Sequence, residues 1–336
     1  MCYDFPYRDT SEKPMMKSQK NHSLGFILSL ITAFMWGVLP IALKELLTGM
    51  DASTIVWYRF LFAAFFVLVW LNYRERLPKL GPTNILTRVI IIISAAGLCA
   101  NYVFFSFSLN YLNAETSEAV IQLTTLFLIL GGVVFYKEQF SGTQKIGTLF
   151  IVAGLLLFFN DRLGEFKNLG SQQTLGVFIV FLSAITWTVY SLLQKKLLRE
   201  FTSSQLLFMM YGFSALVLFP FVSPNALLKL DGFQIFLLSF CCLNTVVAYG
   251  CFTEALNCWD ASKVSAVLAL APLFTIIGLK FIVLIEPNYA YSDRLGALSL
   301  IGAVLLVLGS VLTALMPIFS RFLEKNSSDS ASLGGS

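Results

Sequence analysis

The chain has 336 residues, of which 57% are hydrophobic, 32 are Phe and only 12% are charged. Such a balance lies far from the soluble average and makes a lipid bilayer the natural solvent. The formal net charge of +4 is small, is accounted for by loop charges, and calls for no nucleic-acid partner.

A helix needs about 20 apolar residues to cross the hydrocarbon core. Residues 1–23 are polar, contain Pro6 and Pro14, and lack the apolar core of a cleaved signal peptide, so they read as a disordered tail. Ten apolar runs follow, near 24–43, 54–71, 88–112, 114–136, 145–160, 175–193, 205–222, 233–256, 261–285 and 294–317. Residues 318–336, rich in Ser and Gly, form a second polar tail. Runs such as IGTLFIVAGLLLFF lack the alternation of barrel strands, and helices satisfy the backbone within lipid. The fold class is therefore an all-α polytopic membrane protein with ten transmembrane helices. Cys2, Cys99, Cys241, Cys242, Cys251 and Cys258 form no CxxC pair and read as packing residues.

Cytoplasmic loops retain an excess of Lys and Arg. Placing the amino terminus inside puts 16 of the 23 basic residues on that side, Arg74, Arg76, Lys195 and Lys196 among them. Lys44, Arg162, Lys167, Lys229 and Arg294 fall outside, and Arg59 and Lys280 lie within spans. Both termini are accordingly expected in the cytoplasm.

The ten runs fall into two matching sets of five, 24–160 and 175–317. LGFILSLITAFMW from Leu24 aligns with LGVFIVFLSAITW from Leu175, pairing Trp36 with Trp187. LNYLNAETSEAVIQLTTLF from Leu109 aligns with LNCWDASKVSAVLALAPLF from Leu256, and Tyr102 and Tyr249 keep that register. KIGTLFIVAGLLL from Lys145 is similar to RLGALSLIGAVLL from Arg294. A repeat of five crossings enters the membrane from opposite sides in its two copies, the inverted arrangement from which many secondary transporters build alternating access.

These segments resemble the drug/metabolite transporter superfamily, and within it the EamA-type ten-helix members. The resemblance runs from Leu24 to Met316 and rests on Trp36–Gly37, on Arg59 with Ala63, on the 109–127 span with Glu138 after it, and on AITWTVYSLLQKKLL and AVLALAPLF. Two departures stand out: Thr125 occupies a position where the family often has Pro, kept here as Pro272, and Glu286 precedes a longer PNYAYSDR loop. The resemblance implies a carrier of the bacterial inner membrane, exporting amino acids or other small metabolites.

Inverted repeats place their site near the midplane between the halves. Trp36 and Trp187 lie about 12 residues into their helices, roughly 18 Å of rise; Tyr102 and Tyr249 are deep in theirs, and Tyr190 follows Trp187 by one turn. Buried Tyr and Trp want polar partners, which Asn101 and Asn244 can supply. The expected substrate site is a central cavity with these aromatic walls and amide contacts, against the plainer reading of lipid-facing or packing rings. Charges inside spans cost on the order of 3 kcal/mol each. Arg59 and Glu118 lie at matching depth, so an ion pair or gating network is expected there, with Glu115 and Gln122 on the Glu118 face. The second half has Ser262, Ser265 and Ala269 instead; this asymmetry points to binding of a substrate amine or a coupling proton, against the alternative of a structural salt bridge. Gly147, Gly154, Gly302 and Gly309 are expected to bring the fifth and tenth helices together, within one chain or between two copies of a homodimer.

There is no HExxH, Walker loop, Ser/His pair or metal-ligand cluster, so neither an enzyme nor a cofactor or metal site is expected. An organic-cation carrier is the second reading, since aromatic cavities also hold quaternary cations. A passive facilitator differs from a carrier only in lacking alternation.

Overall fold

A computed structural model describes residues 22–78, 84–137, 142–160, 170–197, 200–258, 264, 267–293 and 295–313. The regular structure is helical: α1 (His22–Leu46), α2 (Ala52–Tyr73), α3 (Ile85–Ser108), α4 (Ala114–Ile121), α5 (Leu123–Tyr136), α6 (Gly142–Phe158), α7 (Gln172–Leu197), α8 (Ser203–Leu218), α9 (Gly232–Cys258), α10 (Ala271–Ile285) and α11 (Ala297–Thr313). No strand occurs among the described residues. Seven helices are long and apolar enough to cross a membrane, counting α4 and α5 as one, and α6, α10 and α11 are shorter apolar helices. The two tails lie outside the described residues, apart from His22 and Ser23, which already belong to α1.

Helix starts are written in local chemistry. Asp51 accepts from the Thr54 N–H at 3.0 Å and its hydroxyl at 2.6 Å to cap α2, Asn84 accepts from Thr87 N–H at 2.7 Å to cap α3, and Thr202 with Gln205 forms a capping box on α8. Between them the helices carry apolar outer faces. Phe26, Ile27 and Phe34 of α1, Phe65, Phe66 and Val69 of α2, and Ile277, Phe281 and Leu284 of α10 are exposed at helical spacing. So wide an apolar surface suits lipid, not water.

Polar residues turn inward and join helices, as they do where lipid supplies no hydrophobic drive. The Thr32 hydroxyl donates to Ala248 O at 3.2 Å and Thr275 to Gly37 O at 2.6 Å, tying α1 to α9 and α10. The packing exchanges the two halves: α1 lies against α9, α3 against α7 and α2 against α8. Thus the first helix of each half meets the third of the other, and the second meets the second.

The glycine expectation is answered within one chain. A Cβ on Gly147 would stand 2.7 Å from Gly309 O, and one on Gly154 would stand 2.8 Å from Gly302 O. Backbones of α6 and α11 therefore touch directly, which any larger side chain at the seam would prevent.

The fourth span, expected to run unbroken over 114–136, is divided at Gln122. There Thr125 N–H bonds Gln122 O at 3.0 Å, a tightened turn. The repeat-related position of Gln122 is Ala269, where the chain also turns: Leu270 N–H bonds Val267 O at 3.1 Å and Leu273 N–H bonds Leu270 O at 3.0 Å. Pro272 lacks the N–H a continuous helix needs. The first half breaks at the same place with Thr125 in the proline's position, so the break belongs to the fold and not to the proline alone.

Candidate functional site

Pro40 sits inside α1 and cannot donate to the carbonyl one turn earlier, that of Trp36. Around this disturbed turn, carbonyls on either side of Trp36 take side-chain donors: Asn244 Nδ2 reaches Met35 O at 2.6 Å and Thr275 reaches Gly37 O. Trp36 is thereby held with its indole toward α9, edge-on to Tyr249 with centroids 5.4 Å apart and 5.7 Å from Phe252.

Tyr249 begins a chain of rings through the centre of the bundle. It stacks on Tyr102 at 6.4 Å and meets Tyr211 edge-on at 6.4 Å, while Phe60 lies 4.7 Å from Tyr102 and 5.7 Å from Tyr211. Tyr190 is buried in the same cluster, and Trp36 and Trp187 pack against it. The expected aromatic group is brought together, and in this structure its rings lie against one another. Sequence reading missed Phe60 and Tyr211; the one tyrosine of α8, at the middle of that helix, was the available signal.

Arg59 enters this cluster from α2. It is only 3% exposed, its guanidinium carbon lies 4.6 Å above the Tyr102 ring, and its Nε donates to Thr245 Oγ1 of α9 at 3.0 Å. The expected Arg59–Glu118 pair is not formed. Depth along a helix says nothing of which way it faces, and Arg59 faces α3 and α9.

Asn101 and Asn244 serve as helix ties. Asn101 Nδ2 donates to Ser183 Oγ at 2.8 Å and Ser183 O at 3.1 Å, and Ser183 Oγ donates back to Asn101 O at 3.1 Å, joining α3 to α7. Asn244 joins α9 to α1, and its Oδ1 is buried with no partner.

A second polar group runs down α4. Glu115, Glu118 and Gln122 share one helix face, and all three are buried. Glu115 Oε1 accepts from Ser292 Oγ at 2.9 Å and Asp293 N–H at 3.3 Å, while its Oε2 is buried without a partner. Asp293 accepts in turn from Asn113 Nδ2 at 3.1 Å and from Thr116 Oγ1. The long 286–293 loop thus latches onto the start of α4. Beside it the Tyr289 phenol is pushed well above its ordinary range by burial and by the nearby Glu45 carboxylate. Lys44 Nζ caps α3 by donating to Leu109 O and Leu112 O. At the other end of the stripe Gln122 accepts from Ser310 Oγ of α11 at 3.4 Å. Glu118, 7% exposed, has no hydrogen bond or ion pair among the described residues. Of the repeat mates of Glu115, Glu118 and Gln122 only Ala269, the mate of Gln122, is described, and it is buried and apolar; Ser262 and Ser265 lie outside the described residues. No group of three or more His, Cys, Asp and Glu with metal-binding placement occurs among the described residues.

An all-helical bundle with a lipid-facing apolar exterior, exchanged half-to-half packing and buried charge on its axis is the build of a multi-pass membrane transporter. The chain belongs to the EamA-like transporter family, whose profile matches it twice, at residues 23–160 and 174–315. It is 40% identical over 292 residues to an uncharacterized transporter of Haemophilus influenzae, covering 87% of this chain and 95% of that one. It is 36% identical over 304 residues to the inner membrane transporter YhbE of Escherichia coli, covering 89% and 93%. A more distant relative, named a probable amino-acid metabolite efflux pump of Escherichia coli, is 22% identical over 84% of this chain and 92% of its own. A solved crystal structure with 15% identity superposes with a TM-score of 0.60 over 87% of this chain and 96% of that one, which shows a shared fold. The protein is a multi-pass protein of the inner membrane.

Proposed function

We propose that the protein is a secondary carrier that exports a small metabolite, an amino acid first among them, by alternating access, with ten spans in two inverted five-helix repeats and both termini in the cytoplasm. It moves its substrate without changing it chemically. The observation that carries this reading is the buried Glu118 on α4, without a hydrogen bond or ion pair among the described residues and one turn before the break at Gln122. A buried carboxyl without a partner is costly, and in a discontinuous helix near the seam of two repeats it is placed to receive a substrate amine or a proton. Trp36, Tyr102, Trp187, Tyr190 and Tyr249 supply apolar walls, Gln122 an adaptable amide beside the break, and Asn101 and Asn244 the frame of the site.

The name of the distant efflux relative favours amino acids over organic cations. Counterflow of labelled amino acids and cationic metabolites into proteoliposomes tests the proposal. A carrier gives saturable uptake driven by unlabelled substrate trapped inside; uptake linear in concentration, with no such drive, indicates a facilitator and refutes alternating access.

A further inference from the structure

We infer that Arg59, Tyr102 and Tyr211 form a buried receptor for the carboxylate of the transported substrate, an inference that rests on the carrier reading above and names the end of the substrate opposite to Glu118's.

Arg59 is 97% buried by its 3% exposure, and of its N–H groups only Nε has an acceptor, Thr245 Oγ1 at 3.0 Å. The Nη groups have no hydrogen bond or ion pair among the described residues. Among the described residues the ionisable groups around it are the phenols of Tyr102, Tyr211 and Tyr249 and the thiols of Cys241 and Cys242, with no carboxylate. A guanidinium is always charged, and burying it without a counter-ion is costly; the face contact with Tyr102 offsets only part of that. The charge is therefore kept for something that arrives.

Two further orphans lie next to it. The phenol oxygens of Tyr102 and Tyr211 are buried and neither makes a hydrogen bond of normal geometry, although both rings pack on Phe60. Buried hydroxyls ordinarily find partners, and here the phenols of Tyr102, Tyr211 and Tyr249 lie near one another with the guanidinium over the Tyr102 ring, a group of donors to which an arriving acceptor would be the better partner. A carboxylate fits in charge and shape. Its two oxygens match the planar fork, and its single charge neutralises a single guanidinium, whereas a phosphate dianion would leave net negative charge in a low-dielectric core. An organic cation without an acid group would meet Arg59 unfavourably, so the organic-cation reading is disfavoured.

The test uses full-length protein purified in detergent, with melting temperature as the binding readout. Each of the twenty amino acids, acetate and benzoate is tried beside its amide, with phenylethylamine as a cation probe, on wild type, Arg59→Lys, Arg59→Gln and Tyr211→Phe. Tyr211→Phe keeps the ring and deletes only the hydroxyl, so it reports even if the Arg59 variants fold poorly. Expected is stabilisation by at least one acid and not by its amide, an apparent Kd raised tenfold or more in Arg59→Gln, a smaller rise in Arg59→Lys, and a rise of a few-fold in Tyr211→Phe. A merely structural Arg59 would lower the melting temperature without moving acid-over-amide selectivity. Equal stabilisation by acid and amide, unchanged Kd in all variants, stabilisation by phenylethylamine alone, or no acid stabilising wild type each overturns the inference. Counterflow of the same compounds separates the two readings: acid-selective binding with no exchange refutes the carrier and keeps the anion receptor, whereas exchange of acid and amide alike keeps the carrier and refutes the receptor.

Discussion

The seam between α6 and α11 gives the sharpest prediction about the fold. A Cβ on Gly302 would stand 2.6 Å from the carbonyl oxygen of Gly154 and 2.9 Å from the carbonyl carbon of Leu157, where ordinary contact begins near 3.4 Å. The methyl of Gly302→Ala thus intrudes by at least about 0.8 Å, with the Phe158 backbone nitrogen closer still, into backbone, which cannot rotate aside as a side chain would. The two helices must separate, loosening Ile151, Phe158, Ala303 and Leu306, which pack along the same seam. Overpacking of this kind costs ~1–3 kcal/mol. Alanine also improves helix propensity over glycine by up to about 1 kcal/mol, so a matched control is needed. Gly212 in α8 provides it, since a Cβ there meets nothing within 4 Å. Propensity is common to both substitutions and cancels in the comparison. Thermal unfolding in detergent should place Gly302→Ala below Gly212→Ala by ~1–3 kcal/mol. Gly154→Ala combined with Gly302→Ala should cost less than the sum of the two, because the first methyl has already parted the helices. If Gly302→Ala and Gly212→Ala unfold together, α6 and α11 do not pack backbone to backbone within the chain.

Three further substitutions probe other joints. Thr125→Pro falls on a break that already exists, so it should cost no more than about 1 kcal/mol for the lost bond to Gln122 O, well below the ~3 kcal/mol of a proline in a continuous helix; a loss near the larger figure would mean that the fourth span is unbroken. Lys44→Met strips the Leu109 and Leu112 carbonyls of their donor and should lower stability by ~1.5–3 kcal/mol, read from the same unfolding curves; an unchanged curve would show that water replaces the ammonium. Asn101→Leu removes the two Nδ2 donations to Ser183 while leaving the Ser183 bond to the residue-101 backbone carbonyl, and should destabilise by about 2 kcal/mol. Because the amide serves as a helix tie, the KM of whatever the protein carries should stay within about twofold; a larger rise in KM at normal stability would return Asn101 to the list of substrate contacts.

The apolar helices were legible because bilayer thickness fixes the length of an apolar run, though only seven among the described residues are long enough to cross, and the repeat because three aligned segments recur in order. Alignment also pointed to Trp36, Trp187, Tyr102 and Tyr249 as one aromatic group, since equivalent positions of interlocked repeats can converge, and helical spacing from Trp187 added Tyr190. The broken fourth span was hidden: Thr125 carries no breaker signal, and only its repeat mate Pro272 does. Which way a helix faces was the other blind spot. Arg59 turns to Thr245 and Tyr102 while Glu118 has no hydrogen bond or ion pair among the described residues, and no one-dimensional reading distinguishes them. Asp293, in the loop that departs from the family pattern, was passed over because its partners Asn113 and Thr116 lie some 180 residues away.

The central claim is that substrate passes through the buried polar face of α4 at the junction of the halves. Its most direct test is amino-acid counterflow by Glu118→Gln, beside wild type and Trp36→Ala, at equal incorporation into proteoliposomes. The account predicts a loss of tenfold or more in kcat/KM for Glu118→Gln and a raised KM for Trp36→Ala. Wild-type exchange by both variants, folded and equally incorporated, would contradict it.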